Sequence, residues 1–321
     1  MPLWETGTGS ARGRRRTFRN SMVRKDEQGG GRRQAPSTEE KAPLGSREVA
    51  RARRERGARL WPGRTREISP PPIADLNARA ALRRASGADL IDLGQAVIGL
   101  PPPALALAAV VDWMAHRQPP PYSPDPGLTD VREAVAGFLG ESKGIAGPQS
   151  VSGMGSLPLL TCGCNQAYAT ALLTVTRPGD EVIVLSPYYF DHVFAIQLAG
   201  CRTVDVPMRM EGARFRIDFD RLERAVTRRT RGITLVSPGN PTASVATSRE
   251  VARLVRLCQD RGLWLLSDET YDLLTLPPAK AVSPAAISGY DRIVTMGSFS
   301  KTFALAAWRV GYLHGSSRFI E

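Results

Sequence analysis

Four short, continuously apolar runs constrain this chain more than any other feature: EVIVLS (181–186), GITLVS (232–237), LWLLSD (263–268) and RIVTMGS (292–298). A run of this length without polar alternation reads as a strand buried on both faces, and only a sheet covered by helices on both sides offers that environment. The intervening segments QAYATALLTVT, DHVFAIQLAG and SREVARLVRLCQDRG carry the helical spacing of apolar residues. Strands alternating with amphipathic helices give parallel neighbours through crossover connections. The expected fold class is therefore α/β, a three-layer α/β/α domain with a mostly parallel sheet. Upstream, ADLNARAALRRA (74–85) reads as a helix, DLIDLG (89–94) as a short strand, ALALAAVVDWMAH after the LPPP break as a second helix, and TDVREAVAGFL (129–139) as a third, capped by its threonine.

Charge and cysteine usage exclude several function classes. The net charge of +12 suggests a nucleic-acid binder until it is located: residues 1–66 hold 18 Lys and Arg against 7 Asp and Glu, whereas the rest holds 25 against 24. The basic excess thus lies in a segment rich in Arg, Gly and Ser without apolar periodicity, which reads as a disordered tail, so nucleic-acid binding is not expected of the globular part. A mitochondrial transit peptide, or a start codon at Met22, are the other readings of this tail. No apolar run approaches the roughly 18 residues of a membrane helix, so no membrane span is expected. Four cysteines, at 162, 164, 201 and 258, form neither a disulfide framework nor a paired zinc motif, so no metal is expected and a reducing cytoplasm suits them. Of the three histidines none is assigned a catalytic role, although His192 follows a tyrosine pair closely enough to line a pocket.

Each apolar run ends in residues that carry chemistry: Tyr188 and Tyr189, then Asn240-Pro241-Thr242, then Asp268 and Tyr271, then Ser298 to Lys301. The carboxyl edge of an open parallel sheet is where such folds bind ligands, so one shared site is expected there. Lys301 is one of only five lysines among 43 basic residues and lies in MGSFSKTFALAAWRVGY, among small and apolar neighbours. Desolvation disfavours an ammonium and leaves the neutral amine that condenses with an aldehyde. Two nucleotide fingerprints fail, because GSFSKT lacks the glycine that precedes a P-loop lysine and SGMGSLP lacks the third glycine of a dinucleotide loop. A Schiff-base lysine, an acid for a pyridinium nitrogen, donors for an anion and a ring to stack on together describe a pyridoxal 5'-phosphate (PLP) site.

SFSKTFALAAWRVGY resembles the lysine segment of the class I/II aminotransferases of PLP-dependent fold type I, with Lys301 followed eight positions later by Arg309. TCGCNQA, SPYYFDH, SPGNPTA and SDETYDLL are similar to that family's other signatures in its order, and DLGQAVIGLPPP and YSPDPGLTDVREAVAGFL to its N-terminal ones. The resemblance implies a PLP-dependent aminotransferase acting on an amino acid and a 2-oxo acid, with a lyase or decarboxylase of the same fold, or an inactive product or regulator, as alternatives. It implies catalytic roles for Lys301 (the Schiff-base lysine), Asp268 (partner of the pyridine nitrogen) and Tyr271, which with Asn240 donates to the cofactor's ring oxygen. Tyr189 takes the stacking position, and Ser298, Ser300, Arg309 and the backbone of Gly163, Cys164 and Asn165 hold the phosphate. Tyr122 resembles a residue that reaches the phosphate of a partner subunit, which implies a homodimer, while Gly94 and Asn240 lie where the family meets its substrate. The implied organisation is a tail (1–66), an N-terminal arm with the first part of a small domain (67–108) and a large PLP-binding domain (109–321). The family's small domain continues past this point and supplies an arginine for the substrate carboxylate, so a C-terminal truncation, an incomplete small domain and impaired transamination are expected.

Overall fold

The computed structural model describes residues 68, 72–96, 98–116, 122–145 and 156–321; the expected tail, 1–66, lies outside them. In chain order the elements are helices α1 (Pro72–Ala85), α2 (Ala104–His116) and α3 (Thr129–Lys143), strand β1 (Leu159–Thr161), α4 (Cys164–Val175), β2 (Glu181–Ser186), α5 (Phe190–Leu198) and β3 (Arg202–Pro207). A small ribbon, β4 (Arg209–Glu211) with β5 (Arg214–Arg216), precedes α6 (Phe219–Ala225), β6 (Thr230–Val236), α7 (Ser248–Arg261) and β7 (Trp264–Asp268). The chain then forms α8 (Pro284–Ile287), β8 (Ile293–Ser298), α9 (Phe299–Thr302), β9 (Gly311–His314) and α10 (Ser317–Ile320). Seven strands make one sheet in the order β1-β9-β8-β7-β6-β2-β3. It is parallel from β3 to β8, and β9 alone runs against its neighbours.

Alternation along the strands builds a core on each face. Ile183 and Leu185 of β2, Ile233 of β6, Leu265 of β7 and Ile293 of β8 pack under α3, α6 and α7 through Leu139, Leu222 and Leu254. The intervening Val182, Val184, Leu266 and Val294 face α4 and α5 through Ala167, Leu172 and Ile196. Since successive strand side chains point to opposite faces, two helical layers are needed to cover these runs, which is the three-layer α/β/α arrangement. Each fully buried Leu or Ile contributes about 1.5–3 kcal/mol relative to exposure.

Helix boundaries follow local chemistry. Helix α7 opens on a capping box, Thr247 Oγ1 accepting from the Glu250 amide while the Glu250 carboxylate accepts from the Thr247 amide at 2.8 Å, and closes at Gly262 in the left-handed region, φ 64°. The expected threonine cap of α3 does not form: Leu128 takes that position without a side-chain bond, Thr129 is the first helical residue, and the helix runs on to Lys143 before Gly144 ends it. The expected strand at 89–94 is irregular, with Ile91 and Leu93 83% and 89% exposed. It has no strand neighbour among the described residues, and an unpaired strand leaves its backbone groups without partners. The expected boundary at residue 108 falls inside α2, a continuous helix without a buried residue. No helix among the described residues is long and apolar enough to cross a membrane.

Candidate functional site

The carboxyl ends of β2, β6, β7 and β8 open into one cavity of about 690 Å³. It gathers most of the residues singled out in the sequence: Gly94, Cys164, Asn165, Tyr189, Asn240, Asp268, Tyr271, Ser298, Ser300, Lys301 and Arg309. Gly163 lies behind the lining against the Arg309 guanidinium, and Tyr122 stands wholly exposed outside the cavity. Tyr188, expected at this strand end, lines it too, as do Thr270, Gln95 and Ala96, whose types gave no signal of a site role.

Asp268, the last residue of β7, is a buried anion. Its Oδ1 accepts from the Thr270 amide at 3.0 Å and its Oδ2 lies 3.1 Å from His192 Nε2. Burial opposes its charge, but the bond and charge of His192 and the two bonds from Thr270 outweigh burial and hold the carboxyl below the usual carboxylate value. His192 does not line the cavity; it lies behind Asp268 in the first turn of α5, 2% exposed, between the ring of Tyr168 at 4.2 Å and the edge of Tyr189 at 5.5 Å. Three residues past Tyr189 is one helical turn, the spacing that turns the imidazole to the adjoining strand end. Tyr189 is itself pinned, its hydroxyl donating to Asp191 Oδ2 at 2.6 Å while Asn165 Nδ2 donates to the same oxygen at 2.7 Å.

Lys301, on α9, also lines the cavity, half-buried, with Nζ donating to the Ala96 carbonyl at 2.5 Å. Burial first and the Arg309 charge second push its pKa below the ordinary lysine value. Arg309 adopts the left-handed conformation, φ 55°, rare for a residue with a side chain, and its guanidinium donates to the carbonyls of Ala306 (2.9 Å) and Cys162 (3.2 Å). That brings its charge to the start of α4, where the cap residue Gly163, φ 82°, offers no side-chain acceptor and the first-turn amides stay open to an anion. The Ser298 hydroxyl donates to Ser300 Oγ at 2.7 Å on the same side. Tyr271 keeps its proton well into alkaline pH, through burial and then the Asp268 charge, against the opposing bond of Asn240.

The cavity thus gathers a cationic, hydroxyl- and amide-rich cluster, a buried carboxylate, aromatic side chains and an amine of lowered basicity. This donor set fits PLP: the cationic cluster matches a phosphate dianion, the carboxylate matches a protonated ring nitrogen, and the amine matches an aldehyde.

The sequence profile of the family described as aminotransferase class I and II matches residues 89–321. The chain is 35% identical over 202 residues to aromatic-amino-acid aminotransferase 2 of Thermococcus litoralis, covering 62% of this chain and 50% of that protein. It is 29% identical over 253 residues to the probable aspartate/prephenate aminotransferase of Aquifex aeolicus, covering 78% and 62%. Among solved structures, a double mutant of Thermus thermophilus aspartate aminotransferase superimposes with a TM-score of 0.73 at 30% identity, covering 80% of this chain and 65% of that one. The N-succinyldiaminopimelate aminotransferase of Mycobacterium tuberculosis gives a TM-score of 0.71 at 30% identity with the same coverage. The chain spans half to two thirds of the length of these relatives.

Proposed function

The chain belongs to the class I and II aminotransferase family, and from that premise we propose that it is a PLP-dependent aminotransferase moving an amino group between an amino acid and a 2-oxo acid, with Lys301 as its reactive amine. The observation that carries this reading is the pairing of a half-buried amine of lowered basicity with a buried, ionised carboxylate in one cavity. Bound PLP supplies an aldehyde that condenses with amines and a protonated ring that accepts the electron pair freed at the amino acid's Cα.

The chain's own residues bind, orient and move protons. Arg309, Ser298, Ser300 and the backbone at Gly163, Cys164 and Asn165 hold the phosphate, the open amides being those of Cys164 and Asn165, since the Gly163 amide donates to the Thr161 carbonyl at 2.8 Å. The Asp268 carboxylate holds the proton on the ring nitrogen, and His192 fixes the carboxylate's orientation and charge. Tyr189 presents its face to the ring, and Asn240 and Tyr271 donate toward the ring oxygen. Lys301 Nζ takes the proton from the substrate Cα. Gly94, at the cavity rim, and Asn240 meet the substrate.

Residues 109–321 form the large domain in this reading and 67–108 the arm and first part of the small one. A homodimer is part of it, supported by the exposed Tyr122 and by the exposed apolar side chains Leu105, Val111 and Met114 of α2. Four free cysteines suit the reducing cytoplasm.

The visible spectrum of the chain with PLP, before and after borohydride, tests the reading beside Lys301→Ala. The expected result is a band that borohydride abolishes and the variant lacks, with PLP mass retained on the Lys301 peptide. Amino donors offered with a panel of 2-oxo acids then read amino transfer directly. No band in the folded wild-type chain overturns the cofactor reading, and a band with loss of carboxylate carbon in place of amino transfer overturns the aminotransferase reading in favour of a decarboxylase.

A further inference from the structure

We infer that Lys143 is a positioning residue for the cofactor cleft: its buried ammonium, held by Glu269 and Asp272, anchors the segment that presents Asp268 and Tyr271. The inference rests on the proposed PLP site and deepens it. Lys143 ends α3, far in sequence from β7, yet its Nζ donates to Glu269 Oε2 at 3.0 Å and to the Tyr312 hydroxyl at 2.7 Å, and pairs with Asp272 Oδ2 at 2.6 Å. The side chains of Lys143 and Glu269 are 4% exposed and that of Asp272 12%. The other oxygen of Glu269 accepts from Ser267 at 3.0 Å and from Ser283 at 2.8 Å.

The chain order makes this cluster consequential. In the stretch 268–272 Asp268, Thr270 and Tyr271 line the cavity, while Glu269 and Asp272 turn to the ammonium. Asp268 and Tyr271 are thus each followed directly by a carboxylate that grips Lys143. A buried ion pair is a poor source of net stability, since apolar residues of like volume often replace it without loss, but it demands one geometry. Here one cation serves two carboxylates, so removing it leaves two like charges facing each other beside the Asp268 charge, and the segment moves to separate them. Displacements of about 1 Å in a site of this kind cost about 100-fold in function.

The full-length chain tests this through Lys143→Met and the charge-free triple variant K143M/E269Q/D272N. The first readout needs no cofactor: amide hydrogen exchange in 269–274, where Glu269 donates to Met296 and Leu274 to Tyr271 at 2.9 Å each. The second is the PLP dissociation constant, with the pH midpoint of the visible band of bound PLP. In Lys143→Met, exchange in 269–274 rises about tenfold with 181–207 unchanged, PLP binding weakens about tenfold, and the band midpoint shifts. If that variant does not fold, the triple variant, which buries no unpaired charge, is judged by the same local exchange and midpoint. Wild-type local exchange and midpoint, or exchange raised equally across the sheet, overturn the inference. A wild-type chain without a PLP band refutes the cofactor reading instead, and the exchange rates of the unloaded chain still decide the anchoring.

Discussion

Replacing Gly163 with alanine probes the join between fold and cradle at one atom. Gly163 has φ 82° and ψ 175°, a region that side-chain-bearing residues enter only at a cost of about 1–3 kcal/mol. The added Cβ falls against Arg309, 3.0 Å from Cζ and closer still to Nη2, so the guanidinium must leave the Cys162 carbonyl it now meets at 3.2 Å. That bond is solvent-exposed and contributes less than about 1 kcal/mol to stability, so the expected loss in urea unfolding is about 1–4 kcal/mol, mostly backbone strain. The effect on phosphate capture is separate. An arginine turned away from the start of α4 forfeits a charge-assisted bond of about 1.5–3 kcal/mol, which weakens PLP binding about 10- to 100-fold at about 1.4 kcal/mol per decade. A double-mutant cycle isolates the contact, because in an Arg309→Ala background the steric part of the alanine's cost disappears and only the backbone part remains. Equal costs in both backgrounds, with wild-type PLP affinity in Gly163→Ala, would refute the proposed packing of the loop on the guanidinium.

Other perturbations read single features of the site and its scaffold. Asp268 has a depressed folded pKa, so its contribution to stability is present above the ordinary carboxylate value and lost as pH falls through the folded one; in His192→Ala burial prevails, and the gain in unfolding free energy from about pH 3 to about pH 6 shrinks or inverts. Lys301, lowered by burial and by Arg309, reacts with acetylating reagents at lower pH than free lysine; Arg309→Met moves that midpoint upward in a mass-spectrometric titration, and an unmoved midpoint contradicts the assigned cause. Burial lowers His314 from 6.5 to about 4, so stability is lost as pH falls through that window by about 3 kcal/mol in total, a slope that urea titrations should find missing in His314→Gln. Thr247→Ala removes the α7 capping box and lowers the unfolding free energy by about 1 kcal/mol, with no effect on PLP affinity.

Legibility in the sequence tracked burial and locality. Strands β2, β6, β7 and β8 were readable because burial on both faces leaves an unbroken apolar run. The edge strand β3, RTVDVP, and the three-residue β1 were not, since one is largely exposed and the other too short to carry a pattern. Helices α1 and α2 announced themselves by spacing, yet what covers their apolar side chains is not written in that spacing. Thr129 looked like the cap of α3, but a cap must itself hold non-helical backbone angles, and Leu128 is the residue that does.

By itself the sequence determined which residues end at the sheet's carboxyl edge, because each reactive group follows its own strand within a few positions. Only the tertiary structure decided which of them turn inward. Asp268 and Glu269 are adjacent carboxylates of one type and nearly one composition context, and nothing local says that the first meets the cleft while the second meets Lys143. His192 likewise became the partner of Asp268 only when α5 was laid beside β7. Pairings across 76 and 126 residues are settled by how the layers stack, since a side chain's partner is chosen by packing in three dimensions and not by its neighbours along the chain.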